Sequence, residues 1–568
     1  MERRTVLAIV LCILVILIWR SMLAQRASQA PVPGELPAGV IEERAVPKPI
    51  ETAEAIQPTV SPLSAEAQDV VVETDLLKVV FTTQGARIKS CRLKEHGFKI
   101  TDLERMLAEA KKQSDEDAIR GLEERIAELS AKAEGEQEPV ELVSHKSYPL
   151  ALAIRGQEGL AQAIYKPDKE KMILDQETSK GQVAFSHTTP QGLKATKAFT
   201  FYNSKYAIDV AIELANLTAR VVEVSGYNLS WGPGIGSEQE LVTRRDIGYL
   251  GAVSYIDGRR VRDRVKKVKG RIERPGSVAW IALKNKYFMA ALVPQFEAKL
   301  ATIKKNDSDK LSIALQLGDF SLPLKSAVIH EYGLYVGPQE YDRLKAKGIN
   351  LEEAIDLGWP RGLSGLMLHA LKLFYRLIPN WGWAIVLLTV LIKVIFLPLT
   401  RKSFISMRAM QAIQPQMNAL RKKYSQDPQR LQKELMKLYR ENKVNPMGGC
   451  LPLLFQLPIF WALFMTLRGT IELRGEPFIW WVRDLSSKDP YYALPILMGV
   501  SMFIQQRMST GVAKDNPQAK MMMFMPIIFT FLFMNFPSGL VLYWLVNNVL
   551  TIGEQYLITK RASRKPSC

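Results

Sequence analysis

The chain has 568 residues, 47% of them hydrophobic, with 75 Lys and Arg against 57 Asp and Glu for a formal net charge of +18. Residues 381–568 hold 23 of those basic residues and 9 of the acidic ones, a balance of +14, together with the longest uncharged apolar runs, so the basic excess belongs to a membrane rather than to nucleic acid. The length excludes a single small domain, and four scattered cysteines, Cys12, Cys91, Cys450 and Cys568, exclude a disulfide scaffold.

The chain opens with Arg3 and Arg4 before an apolar run from Thr5 to Trp19. This predicts a transmembrane anchor within residues 1–24, its N-terminus cytoplasmic. The segment after Trp19 lacks a small-residue cleavage site, which favours a retained anchor over a removed signal peptide. Residues 25–68 carry seven prolines from Pro31 to Pro62 among Glu and Ala, without apolar periodicity. They form an extended linker on the exported side.

Over residues 69–360 the pattern changes to short alternating runs such as Leu76–Thr82, Ala207–Leu214, Val221–Tyr227 and Tyr287–Leu292. These predict a large exported antiparallel β-sandwich. Inside it, Leu103, Leu107, Ala110, Ile119, Leu122, Ile126 and Leu129 fall at helical spacing. A helical hairpin or short coiled coil is expected near 101–136, projecting from the sandwich. Glycine-rich Trp231–Gly236 contains Pro233 and reads as a turn rather than a phosphate loop. The histidines His96, His145, His187, His330 and His369 are dispersed, and no HExxH, GxSxG or P-loop occurs. No catalytic residue, metal site or cofactor is predicted.

Residues 361–380 place Leu363, Leu366, Met367, Ala370, Phe374, Leu377 and Ile378 on one helical face and His369, Lys372 and Arg376 on the other. An amphipathic helix lying in the membrane interface is expected, with a helix packed on the sandwich as the alternative.

Five further apolar stretches follow: Trp381–Leu399, Cys450–Leu467, Tyr491–Phe503, Met521–Phe536 and Ser538–Ile558. Some fall short of the roughly 20 residues of a straight span, a mismatch that bilayer thinning or snorkelling side chains can meet. With the anchor they make six spans, the last four within 450–558. Between the second and third, residues 400–449 carry 11 Lys and Arg against 3 Asp and Glu. That loop, Lys514 and Lys520, and the basic tail at 559–568 all fall on one side if every stretch crosses. The predicted topology is therefore N-in and C-in, with residues from about 20 to 380 outside the cytoplasm.

The second span, 381–399, contains Lys393, one turn after Thr389. A lysine deep in hydrocarbon costs about 2.5–3.5 kcal/mol on insertion scales, so it needs a partner, water or an exit. No other predicted span holds a deep Asp or Glu, Glu554 being near a cytoplasmic end. Lys393 either snorkels to the cytoplasmic side or stands unpaired in a wet cavity open to the cytoplasm. Gln456, Asn535, Asn547 and Asn548 would supply polar walls. The loop at 400–449 reads as a basic helical hairpin, with Met407, Ile413, Met417, Leu420 and Tyr424 marking its first helix and Leu431, Leu435 and Leu438 its second. Asp427-Pro428 fits the start of the second. Its charge, including Arg421, Lys422 and Lys423, suits anionic membrane lipid, with the ribosome or acidic nascent chains as the functional alternative.

Three stretches are more specific than generic membrane composition: Asn445 to Phe460 (NPMGGCLPLLFQLPIF), Asp489 to Leu497 (DPYYALPIL) and Phe536 to Trp544 (FPSGLVLYW). They resemble the YidC membrane protein insertases of the Oxa/Albino superfamily. The order of anchor, exported β-domain, interfacial helix and helical core is similar to the Gram-negative form. The resemblance implies an ATP-independent insertase and chaperone of the bacterial inner membrane, a polytopic α-helical protein with a periplasmic β-super-sandwich. It would insert and help fold nascent membrane proteins, alone or with the Sec translocon, through a hydrophilic groove open to cytoplasm and lipid. The family's groove cation falls on Lys393, where many relatives carry Arg, so a point charge replaces a bidentate donor. Groove and slide positions carry over to Thr389, Leu457, Phe460, Tyr543 and Trp544. The helical insertion departs from the family pattern. Two other functions are to be weighed: a small-solute transporter with Lys393 as counter-charge, and a membrane-anchored enzyme modifying envelope glycans or lipids. DNA is not an expected partner.

Overall fold

The computed structural model describes residues 67–563 except 99, 114–115, 132–136, 145–147, 155–156, 237–248, 307–309, 359–360, 446–450 and 511–516. The expected anchor, nearly all of the linker, residues 446–450 of the stretch from Asn445 to Phe460, Lys514 and residues 564–568 of the basic tail lie outside the described residues.

Alternation builds the sheets of residues 69–360. In Leu77–Thr82, Leu77, Val79 and Phe81 are buried while Lys78 faces out, the period-two pattern that gives a sheet one apolar face. The largest sheet has nine strands. At its centre Ala207–Asn216 pairs antiparallel with both Leu193–Tyr202 and Ala327–Pro338. Among the described residues, two five-stranded sheets and a two-stranded one accompany it. One core runs through them, including Phe81, Phe199, Trp231 and Trp280. The expected antiparallel sandwich needs one correction, because Asp69–Glu73 pairs parallel with Lys171–Ile173. A parallel pair requires a long crossover, which the intervening segment with its helices provides. The Trp231–Gly236 stretch is a turn, with Gly232, Gly234 and Gly236 all at positive φ, where a Cβ would be strained.

The helical insertion forms α1 (Ile100–Gln113) and α2 (Glu116–Ser130). Its two helices pair chiefly with each other and meet the sandwich near the strand Arg87–Phe98. Leu103, Met106, Leu122 and Leu129 are buried in the same core as Phe98 and Val140. Arg125 Nε lies 3.0 Å from both Glu138 carboxylate oxygens, with its guanidinium over Phe98. The apolar stripe on each short helix is covered mainly by its partner helix, which an isolated helix of this length needs in order to form.

The chain leaves the sandwich through α3 (Tyr341–Lys345) and a 3-10 turn, Leu351–Ala354, and enters α4 (Arg361–Leu377). A half-buried ionic knot holds this exit. Asp356 pairs with Arg262 and lies 3.8 Å from Arg260, while Lys284 Nζ donates to the Ala354 carbonyl at 2.7 Å. Burial pushes Asp356 up, but Arg262, Lys284 and Arg260 together hold it below its ordinary value. Burial pushes Lys284 down to about 7, against the opposing pull of Asp356. An unfolded lysine keeps its proton to about pH 10.4. Between these values the unfolded chain binds the extra proton, so this group destabilises fully below pH 7 and progressively less as the pH rises. Melting of the full chain is therefore expected to rise between pH 7 and 9 more steeply than melting of Lys284→Met. Parallel curves would contradict this reading of Lys284.

Helix α4 packs on the helical core rather than on the sandwich, burying Met367 and Leu371 there and leaving Leu366, Leu373 and Leu377 exposed. The expected single apolar face is thus divided between protein and surroundings. On its polar side, Lys372 Nζ bridges Asp342 at 2.8 Å and Glu472 at 2.7 Å.

Next comes α5 (Trp381–Ala412), a 32-residue helix that runs on well past the expected end at Leu399. Pro398 lies inside it without ending it. The second span and the start of the expected hairpin are therefore one helix, and Met407 belongs to it. The hairpin itself is α6 (Gln414–Lys423) and α7 (Pro428–Glu441), with the Asp427 side chain accepting from Arg430 N at 3.0 Å. Four helices follow: α8 (Leu451–Gly469), α9 (Ala493–Thr510), α10 (Pro517–Phe533) and α11 (Ser538–Ser563). Among the described residues one helix, α5, is by itself long and apolar enough to cross a membrane, with Phe524–Phe533 a shorter apolar segment. Six spans were expected from the sequence.

Candidate functional site

The helical core inverts the polarity of the sandwich. Outward positions such as Phe455, Leu457, Ile496, Phe524, Ile527 and Phe531 are exposed, whereas Thr389, Thr400, Ser403, Ser501, Asn548, Thr551, Glu554 and Gln555 are buried. Polar groups between helices with apolar exteriors fit a hydrocarbon surrounding, where each polar group must find its partner inside the protein.

At the heart of this seam, Lys393 of α5 faces Glu554 of α11, Nζ to Oε2 3.8 Å, with side-chain exposures of 14% and 7%. Thr400, two turns after Lys393 and on the same face, has its hydroxyl 2.5 Å from Glu554 Oε1. The expectation of an unpaired Lys393 is overturned. Helix α11 continues to Ser563, past the expected end at Ile558, so Glu554 sits within a packed helix instead of at a frayed end. Residue types flagged Lys393 but missed Thr400, Ser403, Ser501 and Glu554. The seven-residue step from Lys393 to Thr400 was the available signal.

The other expected residues divide. Thr389 is buried, with its hydroxyl donating to the Ile385 carbonyl at 2.7 Å, so it serves its own helix. Gln456 Nε2 donates to Tyr543 Oη at 2.7 Å. Two residues expected in different roles, one on α8 and one on α11, therefore form one contact. Asn548 is buried and donates to Ser501 Oγ at 3.0 Å, tying α11 to α9. Asn547 is half-buried, and its backbone carbonyl accepts from Thr551 Oγ1 at 2.6 Å. Asn535 is exposed on the turn joining α10 to α11. From Ser538 to Glu554 the helix rises about 24 Å, so Asn535 stands at the far end from the Lys393 cluster and does not wall it.

Among the slide residues, Leu457 is exposed and Tyr543 is buried. Phe460 meets Trp544 edge-on at 4.9 Å, and Trp544 lies 5.2 Å from Phe533 and 6.1 Å from Phe529. This aromatic block joins α8, α10 and α11 beside the polar seam, with Leu457 on its outer surface. In the hairpin, Arg421, Lys422 and Lys423 form the last turn of α6, where cations suit the helix dipole. Lys422 and Lys423 are exposed and Arg421 is half-buried.

Comparison with known proteins covers most of the chain. Residues 373–565 match the family described as 60Kd inner membrane protein, and residues 128–370 match the YidC periplasmic domain. The membrane protein insertase YidC of Syntrophus aciditrophicus is 38% identical over 542 residues, 94% of this chain and 92% of that protein. The YidC of Geobacter metallireducens is 34% identical over 99% of this chain and 98% of its own length. A solved structure of an active YidC insertase with its first transmembrane domain resolved covers 88% of this chain and 95% of its own, at 19% identity and a TM-score of 0.37.

Proposed function

Because the chain belongs to the YidC family of membrane protein insertases, we propose that its Lys393 seam is the groove through which polar client segments pass. The protein is an inner-membrane insertase rather than an enzyme, and its substrates are nascent membrane proteins. A client's tail enters from the cytoplasm, its acidic side chains drawn to Lys393. Its apolar segment slides into lipid along Leu457, Phe460 and Trp544, with Gln456 and Tyr543 bonded at the margin. Transfer of apolar surface drives the step at about 25 cal/mol per Å². Polar side chains between the helices lower the cost of carrying a tail across. The burial of Lys393, Thr400 and Glu554 between outwardly apolar helices is the observation that carries this reading.

The basic loops support six spans with both termini cytoplasmic. The exposed Lys422 and Lys423 suit anionic lipid or a ribosome, and the Sec translocon is the partner for clients with large exported domains. A transporter or an envelope-modifying enzyme is not favoured, since the relatives matched over nearly the full length are insertases.

Proteoliposomes holding the purified chain should protect a small membrane protein with an acidic exported tail from external protease, well above empty liposomes. Protection no greater than in empty liposomes, with the chain folded and correctly oriented, would contradict autonomous insertion.

A further inference from the structure

We propose that Glu554 is an internal occupant of the client site, a carboxylate that neutralises Lys393 at rest and is displaced by the acidic side chain of an entering client. The inference rests on the reading of Lys393 as the client's counter-charge and adds a competitor to it.

The geometry is that of a loose pair. At 3.8 Å, Lys393 Nζ and Glu554 Oε2 are well beyond the roughly 2.7–2.9 Å of a charge-assisted hydrogen bond. Glu554 Oε2 is buried without a hydrogen-bond partner among the described residues, whereas Oε1 is held by the Thr400 hydroxyl at 2.5 Å. The carboxylate is thus anchored through one oxygen to a neutral partner and offers the other to the cation without closing on it. A pair built only for stability would be closed and fully hydrogen-bonded, since separated charges in a poorly solvated seam lose attraction and keep their desolvation cost. This pair keeps the seam neutral without a hydrogen bond closing on the ammonium among the described residues.

A client carboxylate arriving at Lys393 then exchanges with Glu554 instead of adding a charge. Thr400 retains Glu554 during the exchange, and when the client's segment moves into lipid Glu554 closes back on Lys393. Exchange keeps binding weak enough for release, as a carrier of many different clients requires.

The test uses the full chain in nanodiscs of phosphatidylethanolamine and phosphatidylglycerol, with a fluorescent peptide whose tail carries two Asp and its Asn counterpart. Glu554→Gln should bind the Asp peptide about three- to tenfold more tightly than the parent, the size expected for one polar pairing between membrane helices, and the Asn peptide unchanged. Lys393→Gln should lose the preference for Asp over Asn. If Glu554→Gln leaves Asp-peptide affinity unchanged while Lys393→Gln abolishes the preference, the competitor role is overturned and the Lys393 reading survives. If neither variant alters the preference, the Lys393 reading itself fails. The exchanged pair Lys393→Glu with Glu554→Lys guards against misfolding. Melting like the parent, with the Asp preference lost, supports the proposal, whereas a retained Asp preference overturns it.

Discussion

Lys393→Glu is expected to abolish insertion of clients with acidic exported tails, while Lys393→Arg retains it. The substitution removes the attraction for the tail and sets a second carboxylate beside Glu554, whose Oε2 lies 3.8 Å from the present ammonium. Two like charges at about 4 Å repel by roughly 4 kcal/mol at an effective dielectric of 20. Arginine keeps the charge and adds a fork that can hold a carboxylate through two bonds. Lys393→Gln separates client attraction from repulsion within the seam, because it leaves Glu554 bonded to Thr400 without a second anion. It should slow acidic-tailed clients and spare the same clients with Asp and Glu changed to Asn and Gln. Protease protection in proteoliposomes, read for each client and variant, decides the matter. Equal insertion of acidic-tailed clients by the parent, Lys393→Gln and Lys393→Glu would remove the charge from the mechanism.

Gly382→Ala is expected to loosen the helical core far more than Gly499→Ala, although each adds a single methyl group. A Cβ at Gly382 would lie 2.0 Å from Phe478 Cδ2 and 2.3 Å from Cγ, so the whole ring has to leave. Phe478 is also where the loop between α8 and α9 holds the start of α5. Asn380 Nδ2 donates to the Phe478 carbonyl at 3.1 Å, and Asn380 Oδ1 caps α5 by accepting from Trp383 N at 3.1 Å. Overpacking costs about 1–3 kcal/mol and loss of a cap about 1 more. The helical part should melt earlier in detergent, with the sandwich transition unmoved. At Gly499 the new Cβ would meet only the Thr530 hydroxyl at 2.0 Å, with Thr530 Cβ at 3.3 Å, and rotation of that side chain gives most of the room. Equal melting of Gly382→Ala and the parent would show that Phe478 yields freely.

Much of the fold was legible because its signals are local. Alternation located the strands Leu77–Thr82 and Ala207–Asn216, and the Asp427-Pro428 dipeptide marked the start of α7 through a cap set by its own neighbours. Val221–Tyr227 reads by alternation as one run but is two strands, Val222–Val224 and Tyr227–Trp231. A positive φ at Gly226 bends the chain between them, a conformation glycine adopts without a Cβ clash. The helical insertion was legible as helices but not as part of the sandwich core, because periodicity marks the apolar stripe and not the surface it covers.

The sequence by itself determined the class of the protein. Apolar run length marked a membrane protein, alternating runs marked its β-domain, and the motifs around Gln456, Tyr491 and Tyr543 carried the resemblance to the insertase family. Lys393 stood out because a charge in an apolar run is costly wherever the chain goes. Only the tertiary structure decided what answers that charge. Glu554 and Thr400 meet Lys393 through packing of α5 against α11, the Gln456–Tyr543 contact ties α8 to α11 elsewhere along the helix, and Asn535 is removed from the site by lying at the opposite end of α11. Burial cost is a property of a residue and its neighbours in the chain, whereas pairing depends on distances between helices that local sequence does not encode.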